Sequence, residues 1–216
     1  MKYIIRFAFC WVLVMLFSCN KTTIVDTPEQ VGISTVTYYV VLTLKGPAVE
    51  SLVVGTAYVD SGVTALENGQ PVQYTTSGTV DANTVGLYPI IYTAVNKDGY
   101  SSSITRIVGV IASAPLPGVD LSGTYANVGS LALTADITNP ASGIFYTTNA
   151  WGGASAFVLP MYFFCTDGTH ITVPTQVAAG QTVDGAGTYV AGLITWDLTL
   201  HAPPPPIERV KMWQKQ

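Results

Sequence analysis

Apolar and polar residues alternate with period two along much of the chain, most clearly between Gly78 and Val110. Successive side chains of a strand point to opposite faces. Tyr88, Ile90, Tyr92 and Ala94 therefore share one face, and Leu87, Ile91, Thr93 and Val95 the other. The first set mixes rings with small and branched apolar groups, which suits the inner face of a sandwich. Asn96-Lys97-Asp98-Gly99 follows, and Asp-Gly tolerates positive φ, so a hairpin turn is predicted there. The return strand, 102–111, sets Ile104, Val108 and Val110 against Thr105, Ile107 and Ile111. Upstream, a long apolar strand over 35–44 is broken by Gly46-Pro47, and short strands are predicted near 50–54, 57–59 and 72–76. Short strands punctuated by turns at this spacing are the pattern of a β-sandwich.

The prolines and glycine of Ser113-Ala114-Pro115-Leu116-Pro117-Gly118 stop strand pairing and mark a boundary. Beyond it, strands are predicted over 131–137, 143–148, 156–164, 169–173, 187–191, 193–200 and 207–213, after an opening at 120–125. In the sixth of these, Ile194, Trp196, Leu198 and Leu200 alternate with Thr195, Asp197 and Thr199, the signature of a half-buried antiparallel strand. Pro203 to Pro206 cannot pair and form a loop. About seven strands make a small barrel or sandwich. The expected organisation is a signal peptide over 1–18, a tether over 19–33, a sandwich over 34–112, a linker over 113–118 and a second β domain over 119–216. No helical periodicity is found after the N-terminus, so the fold class is all-β.

The N-terminus adds a location. Lys2 and Arg6 precede an apolar run, Phe7 to Phe17, which is of secretory-signal length and shorter than a spanning helix. It ends in Leu16-Phe17-Ser18-Cys19, which resembles a lipobox, so Cys19 is the expected lipidation site. Two or three acyl chains, at about 0.8 kcal/mol per buried methylene, hold a protein stably on a bilayer. The other reading of these residues is an ordinary leader or membrane anchor that contains a cysteine. Cys10 leaves with the leader, so Cys165 is the one unmodified cysteine of the mature chain, and its apolar neighbours mark it as a buried thiol.

Charged residues make up only 10% of the sequence, and the net charge is −4. Removing Lys2 and Arg6 leaves 7 basic residues (9 − 2) against 13 acidic, a net of −6. No basic patch exists to meet phosphates, which excludes nucleic acid as a partner.

Two stretches carry a family resemblance. Gly86-Leu87-Tyr88-Pro89-Ile90-Ile91-Tyr92-Thr93-Ala94 with its turn and return strand resembles the last two strands of bacterial immunoglobulin-like repeats on surface proteins. Val54-Gly55-Thr56-Ala57-Tyr58-Val59-Asp60-Ser61-Gly62-Val63-Thr64-Ala65 is similar to the Gly-x-x-Tyr-x-Asp-x-Gly-x-x-Ala signature of those repeats. Together they cover roughly residues 36–111 and imply an immunoglobulin-like fold. Mid-domain, Glu67-Asn68-Gly69-Gln70-Pro71 replaces the usual acidic run, so the carboxylates of a calcium site are not supplied. The second half resembles a C-terminal domain that follows an immunoglobulin-like domain in Bacteroidota lipoproteins. The residues that carry this are Asp120 to Tyr125, Ile171 to Gln176, Gly185 to Tyr189 and Ile194 to Leu198. That resemblance implies an outer-membrane lipoprotein of a kind encoded beside nutrient importers and their lipoprotein lids; the expected location is the cell surface, and such an importer and its lid are the expected partners.

Catalytic chemistry is not signalled. His170 and His201 stand outside any metal-binding spacing, and no Gly-x-Ser-x-Gly elbow is present. Asp167, Asp184 and Asp197 are the carboxylates a glycosidase would need, but Asp167-Gly168 and Asp184-Gly185 read first as turns. No catalytic residue, cofactor or metal is therefore expected. For binding, Trp151 stands out in the loop Thr147 to Gly153, where a large ring can stack on a sugar or peptide. Tyr146, Asn149 and Gln176 are its candidate companions, and the bland reading is that Trp151 folds back to cap the barrel mouth. Trp196 reads as core, and Trp213 either closes the last strand or faces a partner. The expected function is capture of a glycan or peptide nutrient. The alternative is a structural or adhesive protein that makes protein–protein contacts.

Overall fold

The computed structural model describes residues 30–31, 34–152, 157–201 and 205–216. The leader, Cys19, the tether up to residue 29, residues 32–33, Ala156 and Pro203–Pro204 lie outside them. Two compact units are distinguished, Met1–Tyr38 and Tyr39–Gln216. In the first, β1 (Gln30–Val31) pairs antiparallel with β2 (Ser34–Thr35).

The second unit is all-β and opens with a two-sheet immunoglobulin-like sandwich. Its strands are β3 (Val40–Leu44), β4 (Val49–Val53), β5 (Val63–Glu67), β6 (Gln70–Pro71), β7 (Tyr74–Ser77), β8 (Gly86–Val95) and β9 (Ser101–Ile111). One sheet has the order β3-β5-β6 and the other β4-β9-β8-β7, with β4 parallel to β9. The β8–β9 hairpin matches the alternation of the sequence: Ile90, Tyr92, Ala94, Val108 and Val110 are buried between the sheets. Its turn is held by Asn96 Oδ1, which accepts from the backbone N–H of Asp98 (3.1 Å) and Tyr100 (2.7 Å). Gly99 supplies the positive φ of +88° that the turn requires.

Two expectations for the first half are corrected. The first strand begins at Val40 rather than Thr35, and no strand forms over 57–59. The reason for the second lies on β9. Arg106 shares the inward face with Val108 and Val110, and its side chain is fully buried. Residues 54–62 are folded to satisfy it rather than to pair as a strand. Asp60 Oδ1 meets Arg106 Nη1 at 2.7 Å, Nη2 donates to the Lys45 carbonyl (2.6 Å), and Nε donates to the Pro47 carbonyl (3.2 Å) with Glu50 Oε1 3.4 Å away. Asp60 also accepts from the Tyr92 hydroxyl, from the Gly62 N–H at 3.1 Å and from the Tyr58 hydroxyl at 3.3 Å. The Tyr58 and Asp60 of the signature thus join the two sheets through one buried cation. Burial alone would push the Asp60 carboxyl up. The hydrogen bonds from Tyr92, Gly62 and Tyr58, with the Arg106 charge, outweigh burial and hold it below the ordinary carboxylate range.

The second half is a closed, antiparallel, eight-stranded barrel. Its strands are β10 (Gly123–Asn127), β11 (Ser130–Ala141), β12 (Ile144–Thr147), β13 (Met161–Phe164), β14 (His170–Ala178), β15 (Gln181–Val190), β16 (Leu193–Leu200) and β17 (Ile207–Lys215), and β10 pairs with β17 to close it. Inward residues fill the interior, with Trp196 edge-on to Phe163 at 4.8 Å and Phe145 stacked on Phe163 at 5.4 Å. A barrel of this size has just enough room for its own side chains. Cys165 is among the buried residues, and burial raises its thiol pKa.

The opening segment 120–125 ends inside β10, and strand 187–191 is the last part of a longer β15. Among the described residues of the expected strand 156–164, only β13 pairs as a strand. Asp184-Gly185, expected as a turn, lies in mid-strand opposite Leu198 and Thr199. There a Cβ on Gly185 would collide with the Asp197 carbonyl, so glycine permits close backbone approach rather than a turn.

Sandwich and barrel share a small apolar core. Val49 and Ile111 pack with Ile144 and Phe164, which point outward from the barrel wall, and Val53, Leu87 and Ile107 border them. Gly109 sits in this contact, where a Cβ would overlap the Ile144 side chain. The segment between the two is fastened as well: Leu116 N–H donates to the Thr166 carbonyl at 2.7 Å, and Ser113 Oγ lies 3.0 Å from Thr166 Oγ1.

Candidate binding site at the barrel end

The described parts of the connection between β12 and β13, residues 148–152 and 157–160, pack at one end of the barrel. Ala150 and Leu159 are completely buried there, joined by Ala150 N–H to Leu159 O at 2.8 Å. Asn149 organises the loop. It is buried, and its Oδ1 accepts from the backbone N–H of Trp151 (3.2 Å), Gly152 (3.1 Å) and Leu159 (3.3 Å). Trp213 Nε1 donates to Ala150 O at 3.0 Å, which ties the loop to the last strand. Trp213 therefore closes the barrel.

Trp151 is half-buried. It meets Phe157 edge-on at 5.7 Å, and the Lys211 ammonium lies 4.6 Å from its ring centre. This is the geometry of a cation–π contact. Burial lowers the Lys211 pKa, and the neighbouring Arg209 lowers it further. Beside the ring is a cavity of about 270 Å³ lined by Trp151, Phe157, Gln181, Leu200 and Ile207. Its walls are apolar except for Gln181, whose Oε1 is buried with no hydrogen-bond partner among the described residues. A buried acceptor left in that state costs roughly 1–3 kcal/mol.

The other two expected companions are elsewhere. Tyr146 points outward from β12, its ring tilted against Tyr162 at 5.0 Å. Gln176 sits behind that pair and acts as a piece of backbone. Its Oε1 accepts from Tyr162 N–H at 2.9 Å, and its Nε2 donates to Tyr162 O at 2.7 Å. This amide bridges β13 and β14, which share a single residue pair, Phe164 with Thr172, and where β14 has slipped register between Val173 and Gln176. Of the four residues expected to cooperate, the fold brings Trp151 and Asn149 together, while Tyr146 and Gln176 form a separate cluster on the outer wall. The lining residues Phe157, Gln181, Leu200 and Ile207, and Lys211 against the Trp151 ring, were not anticipated. A signal existed for some: Gln181 has the parity of Val183, and Ile207 and Lys211 that of Trp213, all of which face inward.

Both histidines pair with carboxylates at the surface. His170 Nδ1 lies 2.6 Å from Asp167 Oδ2, and His201 Nε2 lies 2.7 Å from Asp184 Oδ2. The His170 ring and the backbone N–H groups of His170 and Thr169 hold the Asp167 carboxyl at about 2. His201 follows Leu200 of the cavity lining in the chain, but neither histidine is itself a lining residue. No cluster of three or more metal-ligating side chains occurs among the described residues.

Residues 42–110 match the family model of the bacterial surface protein immunoglobulin-like domain. That span is the sandwich from β3 through β9, so the immunoglobulin-like half of the expectation holds. Among solved structures, the chain is similar to a crystal structure of a lipoprotein from Bacteroides thetaiotaomicron. Identity is 25%, the match covers 82% of this chain and all of the other, and the TM-score is 0.42. No curated protein matches the chain.

Proposed function

We propose that this is a lipid-anchored, non-enzymatic binding protein of the outer membrane, displayed at the cell surface, whose barrel captures a small nutrient for an importer. The observation that carries the reading is the apolar cavity beneath Trp151 at the end of an otherwise filled barrel. The lipobox-like Leu16-Phe17-Ser18-Cys19 supports the anchor, and a domain type found on bacterial surface proteins supports display outside the cell. The immunoglobulin-like sandwich acts as the mount, and the barrel presents the site.

Isolation of the intact protein from native outer membranes in mild detergent tests the accessory role. An importer or its lipoprotein lid in stoichiometric amount is the expected companion, and recovery of the chain alone removes that role. Labelling with radioactive palmitate, abolished by Cys19→Ser, tests the anchor; unlabelled wild-type protein refutes it. Trp151→Ala is expected to weaken ligand capture by at least about 1 kcal/mol.

A further inference from the structure

We infer that the groove between the sandwich and the barrel receives an extended peptide, annealed along β4, with a lysine or arginine opposite Glu50 and apolar residues on either side of it. This site is separate from the barrel-end cavity and does not depend on it. Three features select that occupant.

The first is a free sheet edge. β4 ends its sheet and pairs only with β9. The bonds at its two ends, from Ile107 N–H to Ala48 O and from Val54 N–H to Ile111 O, both 2.9 Å, turn the main-chain groups of the even-numbered residues toward β9. Those of Val49, Ser51 and Val53 therefore face away from the sheet. Val53 spends its carbonyl on Thr56 N–H at 3.0 Å. Among the described residues no other backbone group bonds Val49 or Ser51 on that side, so both keep a donor and an acceptor for an incoming strand. A peptide that adds to such an edge takes its affinity from main-chain bonds.

The second is room. The groove beside this edge has a volume of about 480 Å³ and is lined by Pro47, Val49, Glu50, Ser51, Pro140 and Ala141. That volume lies within the range of specific ligand sites. Its barrel side is apolar: Pro140 and Ala141 end β11, and Ala141 borders the contact of Val49 with Ile144 and Phe164.

The third is charge. Glu50 projects from the face of β4 opposite to Val49, and its side chain keeps 21% of its exposure. Asp60 makes the close contact with Arg106 at 2.7 Å, while Glu50 stands off at 3.4 Å. Two carboxylates share one guanidinium, so the cluster presents a net negative charge to the groove. A strand laid beside β4 places one side chain on the same face as Glu50, with Cβ atoms about 4.5–5.5 Å apart, where an opposite charge is favoured. The residues before and after it point to the other face, toward Pro140 and Ala141, and are apolar for that reason. β7 is the more exposed edge, but its four residues carry no charge with which to select a partner.

The test is calorimetric titration of the full chain in phosphatidylcholine nanodiscs, with empty nanodiscs subtracted. The probe is the acetylated, amidated pentapeptide Thr-Val-Lys-Val-Thr, compared with the same peptide carrying norleucine in place of lysine. The lysine peptide should bind saturably and about tenfold more tightly, as one charge-assisted contact provides. Glu50→Gln should erase that advantage. Strand pairing uses alternate main-chain groups of the peptide, so N-methylation of either the two valines or the lysine should abolish binding, and methylation in the other phase should not. Ser51→Pro removes a free N–H without touching the ladder to β9 and should weaken binding at least about tenfold, while Thr76→Pro on β7 should leave it unchanged. No saturable binding of the lysine peptide overturns the proposal, as do equal effects of methylation in both phases. Equal affinity for the lysine and norleucine peptides overturns the role of Glu50. Loss of binding in Thr76→Pro but not in Ser51→Pro moves the peptide to β7 and overturns the site.

Discussion

Replacing Arg106 with methionine keeps most of the side-chain volume and removes the cation that joins the two sheets. The loss is large because the partners stay behind. Arg106 has no solvent exposure, while the side chains of Asp60 and Glu50 keep 32% and 21% of theirs. Breaking a buried pair by deleting one member costs about 3–5 kcal/mol. Here the two carboxylates can recover some hydration, which argues for the lower figure. The carbonyls of Lys45 and Pro47 lose charged donors as well, and each such hydrogen bond contributes about 1.5–3 kcal/mol. A destabilisation of about 3–4 kcal/mol follows; with a urea slope of about 1–3 kcal/mol/M it lowers the unfolding midpoint by about 1–4 M. Equilibrium unfolding in urea, followed by far-ultraviolet circular dichroism, measures it. Arg106→Lys, which keeps the charge but not the planar fork, should fall between wild type and Arg106→Met. A midpoint for Arg106→Met unchanged from wild type would show that hydrophobic contact alone joins the sheets.

The remaining predictions concern acid stability, the junction and barrel closure. Because the folded-state pKa of Asp60 is depressed, its contribution is complete above the ordinary carboxylate range and disappears as pH falls through the folded value. Asp60→Asn should therefore lower stability at pH 7 and flatten its dependence on acid, and an unchanged acid profile counts against the assignment. Phe164→Ala should cost about 3–5 kcal/mol and separate the unfolding of the two halves. Fluorescence reports the barrel through Trp151, Trp196 and Trp213, while circular dichroism reports both halves; transitions that stay coincident would show that the junction does not couple them. Gln176→Ala removes the side-chain bridge between β13 and β14 and should destabilise by about 1–3 kcal/mol, with amide exchange accelerated at Tyr162. Protection at Tyr162 equal to wild type would contradict that role.

Most of the fold was legible because antiparallel strands with one buried face leave a period-two record. The β8–β9 hairpin and β16 could be read almost residue by residue. Three features left no such record. Arg106 was passed over because a charged residue inside an inward-facing series contradicts the pattern, and its partners lie 46 to 61 positions away along the chain. Gly185 follows an aspartate as a turn glycine would, and only the strand packed against it reveals why a side chain is forbidden there. Ile144 and Phe164 break the outward-polar rule because another domain covers them. The site was half legible for a related reason. An aromatic ring in a loop is conspicuous, but the cavity beside it is built from strand ends that meet only when the barrel closes. Gln176 carries the residue type of a ligand contact, yet its two hydrogen bonds substitute for a missing stretch of sheet.

Closure of the barrel also determines how another polypeptide could add to this molecule. A closed ring of eight strands has no terminal strand, so apart from the sparsely paired seam between β13 and β14 contacts with the barrel wall are made by side chains. The sandwich is different. Its sheets end in open edges, and β7 presents Tyr74 to Ser77, all four exposed, without the lysine or proline that commonly blunts such an edge. Among the described strands, annealing with a second copy is thus most open to β7 of the immunoglobulin-like half. A proline placed at Thr75 or Thr76 would show how much of any self-association runs through that seam.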